Sequence, residues 1–561
     1  MLWLSEDVVE FLRGGALLMA FLVVLSPLQA RATSEFNVHR LQQFQLHSNS
    51  FGSLGSLVNV EAGTLSDGPM LRQCILAKLV DVTPEVYRLV SSQGAAAMVI
   101  ILPSNMTALS APVKMLVRQL EEAMLSTEVP MAVYLAQETP ELAAIYQSVK
   151  DKTSSGASSA AANFLSSLAS DGYQMVVSGA QSKPMLDVAV ANVQGQLNGF
   201  GAEEKLPSIA IVAHYDAFGA APELSFGADS NGSGVAALLE IARLLSRLYK
   251  SPHTHPHANL FFLLPGGGFL NYQGTKRFLD DMEGGDTNIL GEGRPTFVLC
   301  LDALAATNSL QLHVSRPPKN GTLMHAFYQR LLEAGQELGV EVGLVHRKID
   351  LADARQPWQH HLYSIKKLSA ATLSALTSGD GDERGSITDT LSALNTTRLV
   401  LHTSVLHTAL LRTIYNGAAG AVHHMLHDLP PALNVNSNSL SYWLSLLTSQ
   451  ARSTQLLQPA KSHPLVRALH EALLRFTVDV KLSVFKPDKR DPDFGFHDNT
   501  GGVMVAYSIK PASFDLLLSL IIAGYLGVVY LLLQQMPLIQ NLVIQSSSIR
   551  VSNGKVKSKY H

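Results

Sequence analysis

The sequence predicts an α/β fold: a largely parallel sheet covered by helices, with a small N-terminal α/β unit and one C-terminal transmembrane helix. Three observations carry this reading. From about residue 185, continuously apolar runs alternate with helical stretches; strands apolar on both faces, each feeding a helix, belong to parallel sheets buried on both sides. His214, Asp229 and Asp302 stand just beyond such runs or on the loop that follows one, at the strand ends where these sheets hold ligands. Residues 514–533 form a 20-residue apolar segment, which at about 1.5 Å per residue spans a bilayer core.

From the N-terminus, residues 14–25 are an uninterrupted apolar run after Arg13, broken by Ser26-Pro27 and followed by Ala30-Arg31-Ala32. That length and exit suit a signal peptide over residues 1–32 better than a spanning helix. Glu6, Asp7 and Glu10 outnumber Arg13, which keeps an uncleaved anchor as the alternative. Residues 33–175 hold apolar runs at 74–80, 95–102 and 129–135 between helical stretches, the small luminal α/β unit. Residues 153–162 are rich in Ser, Ala and Gly and read as a linker.

Residues 176–420 form the main domain, with strands at 208–213, 259–264, 297–301 and 371–375 and helices at 235–248, 275–281 and 397–414. Residues 421–512, with helical patterns at 440–447 and 465–476, read as a helical luminal region leading to a span at 513–534. The tail, 535–561, carries Arg550, Lys555, Lys557 and Lys559 without an acid, which favours the cytosolic side. Lys557 and Lys559 have a spacing from the C-terminus that resembles the dilysine retrieval signal of endoplasmic-reticulum membrane proteins.

Lys+Arg 42 against Asp+Glu 45, a net charge of −3, excludes a strongly basic nucleic-acid binder. A hydrophobic share of 47% with 16% charged residues excludes a mostly disordered chain. Two cysteines, Cys74 and Cys300, exclude a disulfide-built scaffold and a Cys-rich zinc module. Cys300 reads as a buried thiol, with a Cys74–Cys300 disulfide as the alternative. Sequons begin at Asn105, Asn231, Asn320 and Asn395, all glycosylation candidates; a sugar on Asn231 would sit at the mouth of the strand-end cleft. His423 and His427 lie one helical turn apart without a third ligand in view, and they read as structural, as do His402 and His407.

His, Asp and Asp at successive strand ends can form one zinc site. Ala213-His214-Tyr215-Asp216, Gly227-Ala228-Asp229-Ser230 and Leu301-Asp302 together resemble the co-catalytic zinc aminopeptidases and glutamate carboxypeptidases, whose fold includes the nicastrin family. The resemblance implies His214, Asp229 and Asp302 as first-zinc ligands, with Asp229 bridging to a second zinc. It also implies a Glu-Glu pair after the middle strand, one as ligand and one as general base, and a late His ligand. In this chain the pair falls on Gly268 and Phe269, with no acid between Pro265 and Gly274, and Gly385 stands at the His position of Gly385-Ser386-Ile387-Thr388-Asp389-Thr390. Asp380, Asp382 and Glu383 are nearby substitutes at unmatched spacing. Without base and second site, two-metal hydrolysis loses proton abstraction and half its metal clamp. The expectation is a vestigial site with no catalytic residue, no metal and no cofactor.

His-Tyr-Asp-Ala-Phe-Gly, Gly-Ala-Asp-Ser-Asn-Gly-Ser-Gly-Val, Asn-Tyr-Gln-Gly-Thr-Lys-Arg, Asp-Lys-Arg-Asp-Pro and Lys-Pro-Ala-x-Phe-Asp-Leu-Leu-Leu resemble the nicalin family over nearly the whole chain. That resemblance implies a non-catalytic, single-span glycoprotein of the endoplasmic-reticulum membrane. It implies association with the nodal modulator protein and a small multipass membrane protein, in a ribosome-associated translocon that assists multipass membrane proteins, and a link to Nodal signalling. The alternatives are a residual zinc-dependent aminopeptidase and a receptor for peptide amino termini.

Overall fold

The structure is a computed structural model and describes residues 31–65, 70–154, 172–185, 187–201, 206–284, 295–353, 355–379, 384–415, 431–488, 490, 492–509, 516, 518–531 and 533–535. The segment before residue 31, the tail with Lys557 and Lys559, the greater part of the Ser/Ala/Gly-rich stretch, and His423 and His427 lie outside the described residues.

The main sheet has eight strands in the order Val342–His346, Leu310–Val314, Ala370–Ser374, Phe297–Leu301, Ser208–Val212, Asn259–Pro265, Val190–Leu197, Val478–Phe485. The four from Ala370–Ser374 to Asn259–Pro265 are mutually parallel. Val190–Leu197 and Val478–Phe485 join antiparallel, and Leu310–Val314 runs antiparallel to Ala370–Ser374. The expected largely parallel sheet is therefore corrected to a mixed sheet with a parallel centre. A strand covered on both faces reads as an apolar run whichever way it points, so the pattern carries no direction.

Both faces are covered. Helices Gly234–Lys250, Leu323–Leu338, Thr396–Ile414, Ser437–Leu447 and Pro464–Phe476 contribute Val235, Phe327, Leu399, Leu440 and Leu465 to one core. Gln273–Glu283 and His360–Ile365 bring Phe278, Leu279 and Tyr363 against the other face. Cys300 lies in that second core and Cys74 in a separate one, both as buried free thiols.

The N-terminal unit is also more than the expected small α/β layer. Cys74–Lys78, Ala97–Leu102 and Ala132–Gln137 are parallel neighbours in a closed seven-stranded barrel completed by Val58–Thr64, Gly172–Val177, Arg31–Arg40 and Gly501–Ile509. Alternate residues of its strands feed different cores: Leu76, Val99 and Tyr134 one, Ile75, Ile100 and Leu135 the other, as a two-residue side-chain period requires. The barrel closes through Arg31↔Ser508 and Ala32↔Tyr507, so the first strand starts inside the segment 1–32 read as a signal peptide. Among the described residues of the stretch 421–512, Ser437–Leu447 and Pro464–Phe476 are the longer helices, whereas Val478–Phe485, Phe494–His497 and Gly501–Ile509 are strands in three different sheets. The two helical patterns read at 440–447 and 465–476 are thus helices, and the helical region expected over 421–512 is corrected to one that also holds strands. Among the described residues one helix, Leu518–Gln535, is apolar enough to cross a membrane, with mean hydropathy 1.7 and none of it buried.

Candidate functional site

The four parallel strands end at one edge of the sheet, and the loops leaving them build a single buried polar cluster. Ser208–Val212 runs into His214, and Phe297–Leu301 into Asp302. Asp229 and Ser230 lie on the turn before helix Gly234–Lys250. His214, Asp229 and Asp302 are all buried and joined through one network. Ser230 Oγ donates to Asp302 Oδ1 at 3.1 Å, and Asn231 Nδ2 donates to His214 Nδ1 at 3.3 Å and to the Leu301 carbonyl at 2.8 Å. The structure thus gathers His214 and Asp302 around the turn at 230–231, while the Asp229 carboxylate accepts from the Ala305 N–H at 2.9 Å.

The charge they face is an arginine. Arg384, itself buried, pairs its Nη2 with Asp302 Oδ2 at 2.6 Å. The same guanidinium donates to Tyr272 Oη and to the Pro357 carbonyl and lies 4.9 Å from the centre of the Trp358 ring. Burial works against its charge, but Asp302 and Tyr272 outweigh burial and raise the guanidinium above its ordinary range. Burial holds the His214 imidazole below its usual value, against the pull of Asp302, so it stands neutral.

The positions at which the resemblance implies a second metal site are filled from both sides. The Gly268 N–H donates to both Asp216 carboxylate oxygens, at 2.8 and 3.0 Å, drawing this loop onto His214. A Cβ on Gly268 would fall 2.3–2.7 Å from the His214 side chain. Phe269 stacks on Phe218 with ring centres 4.0 Å apart. Gly385 has φ +72°, and a Cβ there would meet the Phe269 ring at 2.6 Å. A side chain large enough to bind metal has room at neither glycine.

Three further groups lock the loops. The Asp389 carboxylate accepts from the Asp229 and Ser230 N–H groups at 2.8 and 2.9 Å; burial and the nearby Asp229 push it up to about 7. Asp229 Oδ1 in turn accepts from Ala305 N–H at 2.9 Å. Buried Arg452 donates to the carbonyls of Tyr215, Phe226 and Gly227. From the barrel side, buried Glu121 on helix Ala111–Ser126 accepts from Ala220 and Ile387 N–H groups. These donors and acceptors do not fit a zinc ion. A cationic side chain takes the Asp302 oxygen, an amide hydrogen takes a His214 nitrogen, and among the described residues no three His, Cys, Asp or Glu converge on one point. Asp380, Asp382 and Glu383 lie outside the described residues.

A family model described as the nicastrin large lobe matches residues 207–347, the stretch that carries His214, Asp229 and Asp302. The zebrafish (Danio rerio) protein named BOS complex subunit ncln is 41% identical, over 95% of this chain and 96% of its own length. The Caenorhabditis elegans protein named Nicalin is 26% identical over 94% and 96%. The chain belongs to the nicalin family. The crystal structure of nicastrin, a component of gamma-secretase, superposes with a TM-score of 0.56 at 11% identity, covering 85% of this chain and 99% of that one. At that identity the likeness shows a shared fold.

Of the four sequons in this nicalin-family chain, Asn105, Asn320 and Asn395 are exposed. Asn395 uses its Oδ1 to cap helix Thr396–Ile414. Asn231 is different. It is 0% exposed, and the Nδ2 that would carry a sugar donates to His214 and Leu301. The expected glycan at the cleft mouth is therefore incompatible with the fold, and its place in the site is that of a hydrogen-bond strut. Asn231→Gln is expected to leave the mass released by endoglycosidase unchanged. It should cost about 1–3 kcal/mol through the lost buried bonds, read as a lower thermal midpoint; a smaller glycan mass in the variant would refute this.

Sequence reasoning missed Arg384, Asn231 as a strut, Asp389 as a clamp, and Arg452. Arg384 stands one residue before the absent His ligand, the single local signal that could have drawn attention to it. His402 and His407 are buried on helix Thr396–Ile414, and His402 Nδ1 bonds the Leu304 carbonyl at 2.7 Å.

Burial depresses His313, His361 and His407 to about 4 each. The unfolded chain binds these protons near pH 6.5, so between about 6.5 and 4 it holds more protons than the folded chain. The stability is complete above that window and falls as pH drops, by up to about 1.4 kcal/mol per unit for each histidine. Asp389 and Glu121, both raised by burial, act in the opposite sense, while His214, His360 and His402, also depressed by burial, add to the three. The thermal midpoint is expected to be lower at pH 5 than at pH 7.5; an equal or higher value would contradict it.

Proposed function

We propose that the chain is a non-catalytic, single-span glycoprotein of the endoplasmic-reticulum membrane, with a luminal body and a cytosolic tail. Its degenerate aminopeptidase-like body serves assembly rather than hydrolysis. The supporting observation is the Arg384–Asp302 ion pair, which puts a fixed guanidinium against a carboxylate that the enzymes of this fold give to zinc. The positions at which the resemblance places the general base are here Gly268, against His214, and Phe269, packed on Phe218.

Following the family, the partners would be the nodal modulator protein and a small multipass membrane protein, in a ribosome-associated translocon that assists multipass membrane proteins. Affinity purification of the tagged full chain from detergent-solubilised membranes should recover these partners in constant ratio, with and without a chelator. Purified chain that carries stoichiometric zinc and cleaves peptides in a His214-dependent manner would overturn the proposal.

A further inference from the structure

The main sheet ends on Val342–His346, which among the described strands pairs only with Leu310–Val314. A parallel neighbour takes the N–H and C=O of every second residue. The Leu310 N–H donates to the Glu341 carbonyl at 2.9 Å, and the Arg347 N–H donates to the Val314 carbonyl at 3.1 Å. Glu341, Gly343, Val345 and Arg347 therefore turn their backbone groups inward. Those of Val342, Leu344 and His346 point out from the sheet edge, a template for a further strand.

The other edges are guarded. At the far side of this sheet, Val478–Phe485 carries exposed Lys481 in mid-strand and Asp479 at φ +52°, and its register with Val190–Leu197 shifts between Gln194 and Gln196. The five-stranded sheet ends on two-residue strands, Pro184–Met185 and Glu128–Val129. Charge, irregularity and shortness are the usual protections against edge-to-edge association. Val342-Gly343-Leu344-Val345-His346 has no Lys, Arg, Asp, Glu or Pro and no positive φ. Its nearest fixed charges stand just outside its two ends with opposite sign: Glu341 and Arg347, both exposed and each three residues from Leu344.

We infer that this edge pairs antiparallel with the same edge of a second copy of the chain, about a two-fold axis at Leu344. Leu344 then faces Leu344 of the second copy, and Val342 faces its His346, each pair exchanging both N–H···O bonds. Glu341 falls opposite Arg347 of the second copy, in a non-hydrogen-bonded pair with Cα atoms about 4.5 Å apart. Opposite charges so placed attract. Arg347 Nη2 lies 4.0 Å from Asp353 Oδ2 with both side chains well exposed, a loose surface pair that leaves the guanidinium other N–H donors for a second carboxylate. Gly343 falls opposite Val345, small against large. Reversal of sign about a single residue is the self-complementarity that a two-fold interface requires, and it selects a copy of this chain over an unrelated extended segment. The inference goes beyond the assembly role and rests on other residues, so either can fail without the other.

The full-length chain, purified in detergent, is weighed by light scattering over a range of concentrations, where a monomer–dimer equilibrium is expected. The apolar helix Leu518–Gln535 offers another route to association, so charge exchange tests the edge itself. Glu341→Arg or Arg347→Glu sets like charges opposite each other at both ends of the pairing, and either should weaken the dimer about tenfold. The double exchange restores opposite charges and should recover the wild-type affinity to within about threefold, a rescue that mere loss of folding would not show. Leu344→Cys gives an independent reading. Cys74 and Cys300 are buried, and facing Cα atoms about 5.5 Å apart suit a disulfide, so the oxidant diamide should convert this variant to a covalent dimer. Val484→Cys, exposed on the opposite edge, should stay uncrosslinked. A monomer at every concentration, single exchanges without effect, a double exchange no better than the singles, or equal cross-linking of Val484→Cys would each overturn the inference. So would slow amide exchange at Val342, Leu344 and His346 in the monomeric state, which would mean that the chain covers its own edge.

Discussion

Arg384→Met is expected to destabilise the folded chain by about 3–5 kcal/mol, the cost of leaving a buried carboxylate without its partner. Asp302 sits at 2% exposure with Arg384 Nη2 at 2.6 Å. Once the guanidinium is gone, Ser230 Oγ remains as a neutral donor to it. The variant also removes the donors to Tyr272 Oη and the Pro357 carbonyl. Adding Asp302→Asn should recover much of the loss, because the uncompensated charge then disappears; contacting residues are where such non-additivity is expected. The check is the unfolding midpoint of the full chain in detergent for both single variants and the pair. A wild-type midpoint for Arg384→Met alone would mean that the ion pair does not balance the site.

Gly268→Glu, which puts an acid where the family resemblance implies one, is expected to cost more than about 3 kcal/mol. Its Cβ would lie 2.3–2.7 Å from the His214 side chain; overpacking of that kind costs about 1–3 kcal/mol, and the buried, unpaired carboxylate adds to it. Gly268→Ala isolates the steric part, and His214→Ala in the same chain should relieve it. Expression yield and thermal midpoint give the answer; Gly268→Glu at wild-type stability would show that the loop can open to make room for a general base. Gly385→His meets a similar barrier, since φ +72° and the Phe269 ring 2.6 Å from the added Cβ both act against it.

Much of the main domain was legible because its elements are local. The apolar run at 297–301 is the strand Phe297–Leu301, and the helix read at 397–414 is Thr396–Ile414. The placing of His214 and Asp302 side by side was legible too, because both sit just beyond strand ends that a parallel centre aligns; Asp229 lies on the turn before the next helix. Illegible were the pairings that join distant residues. Gly501–Ile509 closes a barrel with Arg31–Arg40, and nothing in either strand's own pattern names its partner. Asn231 looked like an exposed turn sequon because Asn-Gly-Ser is turn chemistry, yet the folded loop turns its amide inward.

By itself, the sequence determined that no acid lies between Pro265 and Gly274 and that a glycine stands at 385, where the family resemblance implies a histidine. It also determined a candidate membrane helix, because hydropathy and length are properties of a contiguous segment. Only the tertiary structure decided what replaced the chemistry. A guanidinium against Asp302, a glycine backbone against His214 and a phenylalanine stack in the second site are contacts between separate loops. Their energies depend on distance and burial, which residue identity does not encode. The missing residues alone are compatible with an empty cleft; the packed structure shows the inner site closed by its own side chains.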